Sequence, residues 1–411
     1  MTYSTASKSN KQFIILTLLS LSIIGALFTE SIDGLGKLSI SNVIQLLTTT
    51  SLIFVNPRFS RTLIKTILFV ITCAVVSHIY VAVEYGYQGK IFVTLHIITG
   101  LVFFFLMADG LQRYSSQAAL KKCILISILV SISILTLSAA LDFKNGLPRT
   151  SFTFDDKSHA SIYICFLSFL SLHYLGASRY LISSLLIILC FFSVSRLVAV
   201  FIPFLLVIAV MQIIKEGSLL KKVLLTLMLL TSTIIAVNYI YKNSEKIQLL
   251  ERIDSTSTVS SSDSTSAHIL LLKYATILKF DSIPNFLFGV SPGSFADILI
   301  RSDIDYSNLA SIDPAFIDNA RNSTAPIHST HAAVLVEAPF PALVVYIAII
   351  ISIVVKNIRR KNYELLLFGA PFFISIMFYS AHNKFYFFVV LLFILLLSNE
   401  KNSQPIKGIS K

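Results

Sequence analysis

Residues 197–214, LVAVFIPFLLVIAVMQII, decide the fold class of this chain. The run carries no Asp, Glu, Lys, Arg or His, and it starts directly after Arg196. A helix rises about 1.5 Å per residue, so a run of this length nearly matches the roughly 30 Å hydrocarbon core of a bilayer. Comparable runs recur outward in both directions, and they are continuously apolar where the strands of a closed barrel would alternate. Helices satisfy their own backbone groups in lipid, so the expected fold is an all-α membrane bundle.

The spacing predicts about twelve spans, at 13–29, 38–55, 63–82, 91–109, 123–141, 160–176, 180–194, 197–214, 223–241, 333–355, 363–380 and 384–398. Composition agrees. Of 411 residues 55% are hydrophobic and 13% charged, with a mean hydropathy of +0.80, which excludes an ordinary soluble domain. The first run ends in Phe28-Thr29-Glu30 without a small-residue cleavage site, so it reads as a retained helix, not a leader. Cys73, Cys123, Cys165 and Cys190 all lie within apolar runs and read as small buried hydrophobes.

Charge supplies the orientation. Basic residues gather in alternate connections: Lys8 and Lys11, Arg58 to Lys65, Arg113 to Lys122, Arg179, Lys215 to Lys222, Lys356 to Lys361, and the C-terminal tail. The positive-inside bias places these connections and both termini in the cytoplasm. It also accounts for most of the net charge of +12, which in a soluble protein would suggest nucleic acid; anionic ligands such as diphosphates would account for the rest. The chain then divides into residues 1–241, with nine spans, a large outward loop at 242–332, and residues 333–411, with three spans and a cytoplasmic tail. Within the loop, Ile269 to Leu278 reads as a helix lying at the membrane interface.

Several polar residues stand where lipid makes them costly. Arg196, in Ser193-Val194-Ser195-Arg196-Leu197, separates two apolar runs; its guanidinium fork suits phosphate oxygens, and a snorkelling helix-end Arg is the alternative. His328 and His331, in Pro326-Ile327-His328-Ser329-Thr330-His331, precede the tenth span. A neutral imidazole there suits a general base. A zinc site would need a third ligand that the nearby sequence lacks, so no metal is expected. Glu337 follows inside the apolar run, and Pro339 and Pro341 should kink or break that helix and leave carbonyls for neighbours to satisfy. Arg149, Asp155, Asp156, Lys157 and His159 form either a solvated loop or a wall of the same site. His268, Lys273, Arg301 and Arg321 add positive or titratable groups that would make an electropositive funnel for a diphosphate. No Walker loop or dinucleotide glycine pattern occurs, which argues against an ATP-driven pump.

Three motifs taken in order resemble those of the bacterial O-antigen ligase and polymerase superfamily, which are polytopic glycosyltransferases of the GT-C type. They are Ser193-Val194-Ser195-Arg196, Phe288-Gly289-Val290-Ser291-Pro292-Gly293-Ser294-Phe295, and Pro326-Ile327-His328-Ser329 followed by Glu337 and Pro339. The resemblance covers residues 150–411. Ser329 stands where the family usually has Asn, Pro339 where it has Gly, Ser291 where it has the middle Gly, and His268 where an Arg opens the loop helix. The resemblance implies a cofactor-free and metal-free transferase of the bacterial inner membrane. Its donor would be an undecaprenyl-diphosphate-linked glycan, and its acceptor lipid A–core oligosaccharide or another glycan. His328 would be the base, with His331 as alternate. Arg196 would bind the diphosphate, helped by His268, Arg149, Arg301 and Arg321; Glu337, Gly289 and Gly293 would support the site.

The charge pattern makes one direct prediction. A reporter fused after Lys361 should read as cytoplasmic and one fused near Ser262 as extracytoplasmic; the same side for both would overturn the twelve-span topology.

Overall fold

The computed structural model describes residues 2–30, 39–57, 59–147, 150–176, 178–193, 195, 197–216, 263–322, 329–377, 379–381 and 384–399. Among these the chain is helical, with no strand. The first eight helices are α1 (Thr2–Gly25), α2 (Ile40–Val55), α3 (Arg61–Tyr85), α4 (Ile91–Tyr114), α5 (Gln117–Lys144), α6 (Lys157–Tyr174), α7 (Arg179–Phe192) and α8 (Leu197–Glu216). After the span expected at 223–241, which lies outside the described residues, come α9 (Asp263–Phe280), α10 (Ile283–Phe288), α11 (Phe295–Leu299), α12 (Ser307–Ile312) and α13 (Pro314–Arg321). The chain continues with α14 (Thr330–Glu337), α15 (Phe340–Arg359), α16 (Tyr363–Ser375) and α17 (Phe385–Asn399).

Among the described residues, five helices are long and apolar enough to cross a membrane: α3, α4, α5, α8 from Leu197 to Lys215, and α15. Shorter apolar helices stand at the positions expected at 13–29, 38–55, 180–194, 363–380 and 384–398, whereas α6, at 160–176, is less apolar than these; the chain is a membrane protein by the length and composition of its helices. One expectation needs correction. The span expected at 333–355 is two helices, because α14 stops at Glu337 and α15 starts at Phe340. Pro339 has no N–H to donate and its ring excludes the preceding turn, so the helix ends there. The separation expected at Ser195-Arg196 is present, since α7 ends at Phe192 and α8 begins at Leu197.

Two apolar cores organise these helices. In the first, α6 packs against α7 and α8, α1 against α2, α4 and α5, and α17 against α4. Almost every residue of α6 is buried, its serines and His159 included, and most of α17 is buried, as expected for a helix apolar on all sides. By contrast α3 and α15 expose Ile79, Val83, Val344 and Ile347, as peripheral helices facing lipid would. The second core gathers Leu271, Tyr274, Ala275 and Leu278 of α9 with Val290, Phe295, Leu299, Leu309, Phe316, Ala333 and Val336. It reaches the bundle through Val81 of α3. The described part of the segment expected as a loop, residues 263–322, is therefore largely helical, and its helix extends to both sides of residues 269–278.

Candidate functional site

The break at Pro339 leaves backbone acceptors at the end of α14, and two of them are met by α9 and the glycine-rich segment. Lys279 Nζ donates to the Ala338 carbonyl at 2.7 Å, and the Val290 N–H donates to the Val336 carbonyl at 3.0 Å. Lys279 is buried, which pulls its ammonium down to a pKa of about 8. The Glu337 side chain turns back on the glycine-rich segment. It accepts the Gly293 N–H at 2.8 Å and the Phe295 N–H at 3.2 Å. Burial pushes its carboxyl up to about 7, while the two N–H donors and nearby Lys90 oppose that rise and Asp297 adds to it.

The glycine-rich turn itself needs its glycines. Gly289 and Gly293 have φ of 69° and 75°, and a Cβ on Gly289 would stand 2.4 Å from the Glu337 carbonyl oxygen. Ser291 holds the same left-handed conformation, with φ 73°. What it gains is a hydrogen bond: Ser291 Oγ lies 2.8 Å from His78 Nδ1, while His78 Nε2 lies 3.2 Å from Thr94 Oγ1. Further ties run from this turn to α3 and α4. The Ser77 hydroxyl donates to the Phe288 carbonyl, and Lys90 pairs with buried Asp297 at 2.7 Å. Gly289-Val290-Ser291-Pro292-Gly293 also fits the Gly-x-Ser-x-Gly pattern of a hydrolase nucleophile. The geometry excludes that use. Ser291 is fully buried, Pro292 lacks the N–H an oxyanion hole would take from the next residue, and the second nitrogen of His78 meets a hydroxyl instead of a carboxylate.

The start of α14 contacts a different set of residues. Ser329 caps the helix, accepting the Ala332 N–H at 3.0 Å. The Thr330 N–H donates to the Ile376 carbonyl at 2.9 Å, and the Thr330 hydroxyl accepts the Ala381 N–H at 2.8 Å. This fixes the connection between α16 and α17 against α14. Across that connection His159 lies beside the rings of Tyr379 and Tyr386, its Nδ1 2.7 Å from the Tyr386 hydroxyl. Lys384 pairs with Asp155, which also accepts the Thr29 hydroxyl at 2.8 Å. Burial works to raise the Asp155 carboxyl, but Lys384 and the other partners outweigh it and hold it below the usual range. Asp156 caps α6, accepting the Ser158 N–H at 2.6 Å. The junction of α7 and α8 joins the same end of α6: Ser161 and Ser193 hydroxyls stand 2.8 Å apart, and the Thr150 N–H donates to the Phe192 carbonyl at 3.1 Å.

The residues expected from the sequence are thus only partly gathered. His328, Arg196 and Arg149 lie outside the described residues, although their described neighbours Ser329, Ser195 and Thr150 belong to these segments. His268 falls in the early turns of α9, and its side chain is not among those described. His331 is engaged at both ring nitrogens, with the Phe373 carbonyl 3.0 Å from Nε2 and the Tyr346 hydroxyl 2.7 Å from Nδ1. The carbonyl requires Nε2 to carry the proton, so Nδ1 accepts from Tyr346. Burial lowers the His331 pKa, partly offset by the Phe373 bond. Arg301 covers the Tyr87 ring at 5.2 Å, and Arg321 makes an exposed pair with Asp318 at 3.6 Å. His78, Lys90, Asp297, Lys279 and Lys384 were not singled out by sequence reasoning. No described group of three or more His, Cys, Asp and Glu residues could hold a metal ion. No family model matches the chain, and no curated protein matches its sequence.

Two predictions follow from the Glu337 and Ser291 geometry. The folded pKa of Glu337 lies above its unfolded value, so its stabilising contribution is present below about pH 4.5 and is lost as pH rises through about 7. Glu337→Gln removes this titration, so thermal unfolding should show the wild type losing Tm relative to the variant between those pH values. A pH-independent difference would overturn the assignment. At Ser291, both Gly and Ala lose the hydrogen bond but only Gly tolerates the backbone. Ser291→Gly should therefore be more stable than Ser291→Ala by about 1–2 kcal/mol, measured by the same melts.

Proposed function

We propose that this chain is an O-antigen ligase-type glycosyltransferase of a bacterial inner membrane, moving undecaprenyl-diphosphate-linked polysaccharide onto lipid A–core oligosaccharide. One observation carries the reading. The start of α14, the connection between α16 and α17, the first turn of α6 and the junction of α7 and α8 are joined by short hydrogen bonds at one end of the bundle. These are the segments that flank His328 and Arg196.

In the proposed reaction His328 takes the proton from an acceptor sugar hydroxyl. The hydroxyl oxygen attacks the anomeric carbon, and the carbon–oxygen bond to the carrier diphosphate breaks with its electron pair going to the diphosphate. Arg196, a planar bidentate donor, stabilises that leaving charge. Repeat-unit polymerisation uses the same donor and the same chemistry, and the motifs do not separate it from ligation. Ligation is favoured because the chain is basic and its lipopolysaccharide acceptor is anionic. A lipid-linked-oligosaccharide flippase would instead need basic residues lining a central cavity.

A deletion strain tests the reading through its lipopolysaccharide bands. Loss of long chains with carrier-linked polymer retained means ligase, a core carrying one repeat unit means polymerase, and an unchanged pattern overturns both. In the complemented strain His328→Ala should lower transfer about 10²–10⁴-fold at equal abundance, the usual worth of a general base, and His331→Ala should cost less. The reverse order would move the base to His331.

A further inference from the structure

Helix α10 and the first residue of α15 expose apolar side chains that no described residue covers. Ile283 is 76% exposed and Leu287 42%, and Phe288 and Phe340 are also open. Two helices of membrane-spanning length set the depth of this patch. Along α3, the Ser77 hydroxyl holds the Phe288 carbonyl, while Tyr80 and Tyr85 hydroxyls both donate to Asn285 Oδ1, at 2.6 and 3.0 Å. Thus α10 runs beside the last turns of α3 and does not sit above its end. Ser77 precedes the last residue of α3 by eight positions, which is about 12 Å at 1.5 Å per residue. The 25 residues of α3 span about 37 Å, roughly 4 Å more at each end than a 30 Å hydrocarbon core. Phe288 therefore lies about 8 Å inside that core.

The second ruler is α15. Its 20 residues measure about 30 Å, so its first residue, Phe340, marks the edge of the core. Phe286 packs on Phe340 with ring centroids 4.7 Å apart. The α15 ruler puts Phe286, in the middle of α10, at the edge of the core, and the α3 ruler carries the last residue of α10 inside it, so α10 enters the hydrocarbon at its C-terminal end.

Non-spanning backbone survives at such depth only when protein groups satisfy it. Here they do. Ser282 caps α10 through the Asn285 N–H at 3.2 Å, and Gly289 N–H donates to the Asn285 carbonyl at 3.0 Å. Ser77 closes the last carbonyl. We propose that α10, Ile283–Phe288, is a re-entrant element embedded in the acyl chains of the outer leaflet between α3 and α15. The patch is continuous with the exposed apolar faces of those two helices, at Ile79 and Val83 on one side and Val344 on the other, which identifies lipid as its occupant. The inference does not depend on the transferase reading.

The chain contains no Trp, so a single introduced indole reports its own surroundings. Full-length Leu287→Trp, Ile283→Trp and Asn308→Trp would be reconstituted in phosphatidylethanolamine–phosphatidylglycerol vesicles, with and without lipids brominated along the acyl chain. Asn308 is exposed in α12 and serves as the aqueous reference. The Leu287 variant should emit at shorter wavelength and lose most of its emission to deeply brominated lipid. The Ile283 variant should be quenched best by lipid brominated near the headgroup, and the Asn308 variant only by aqueous iodide. Iodide quenching at position 287 would overturn the proposal. A blue-shifted signal there that neither quencher reaches would also overturn it, because protein would then cover the patch. Two reporter positions on α10 keep the test decisive if one variant fails to fold.

Discussion

Pro339 cannot continue a helix, and almost everything distinctive in this structure follows from how the resulting gap is filled. A spanning helix normally hides its own carbonyls; this one ends abruptly and hands several to whatever lies beside it. The second core supplies the donors: Lys279 to Ala338 and Val290 to Val336. Once those bonds form, α14 belongs to the second core, while α15 remains a lipid-facing span. Glu337 adds a reciprocal tie by holding two N–H groups of the glycine-rich turn. A backbone defect is thereby turned into the joint between the membrane bundle and its large connection.

The bundle was legible in the sequence because apolar run length is a local quantity. Residues 197–214 or 123–141 announce a helix without reference to any partner. The break at Pro339 was legible for the same reason, since the ring and the missing N–H act on immediate neighbours. What stayed hidden was pairing across distance. Lys384 and Asp155 are separated by 229 positions, and Lys90 and Asp297 by even less obvious context, a loop between two spans and a five-residue helix. A lysine next to a span reads first as a topology signal, and Lys90 and Lys384 instead close ion pairs. His78 was passed over as one polar residue in an apolar helix, although its partner Ser291 belonged to a motif already singled out. Ser291 takes its unusual φ at the cost of backbone strain, and its hydroxyl meets the His78 imidazole.

The two halves of the candidate site differ in how they are held. The turn at 289–295 is fixed by buried, mostly charged or charge-assisted contacts, Glu337 with two amides and Lys90 with Asp297. The start of α14 is fixed mainly by neutral backbone bonds to residues 376–381, with the half-exposed pair Lys384–Asp155 beyond them. Neutral bonds of this kind contribute about 1 kcal/mol each, so the second half is the easier to rearrange around an incoming substrate. That asymmetry suits the transferase proposed above, in which one wall holds still while the other admits a bulky glycan.

The partners of α3 impose an order on biosynthesis. Ser77 and His78 are satisfied by Phe288 and Ser291, which follow them by 211 and 213 positions. At about 5–20 residues per second, a ribosome needs on the order of 10–40 s to reach those partners after α3 has emerged. During that interval α3 must reside in the membrane with its serine and histidine facing water, lipid headgroups or the insertion machinery. Helix α3 meets α4 early, through Thr94 sixteen positions after His78, and the glycine-rich turn joins it as a latch that closes only when most of the protein has been made.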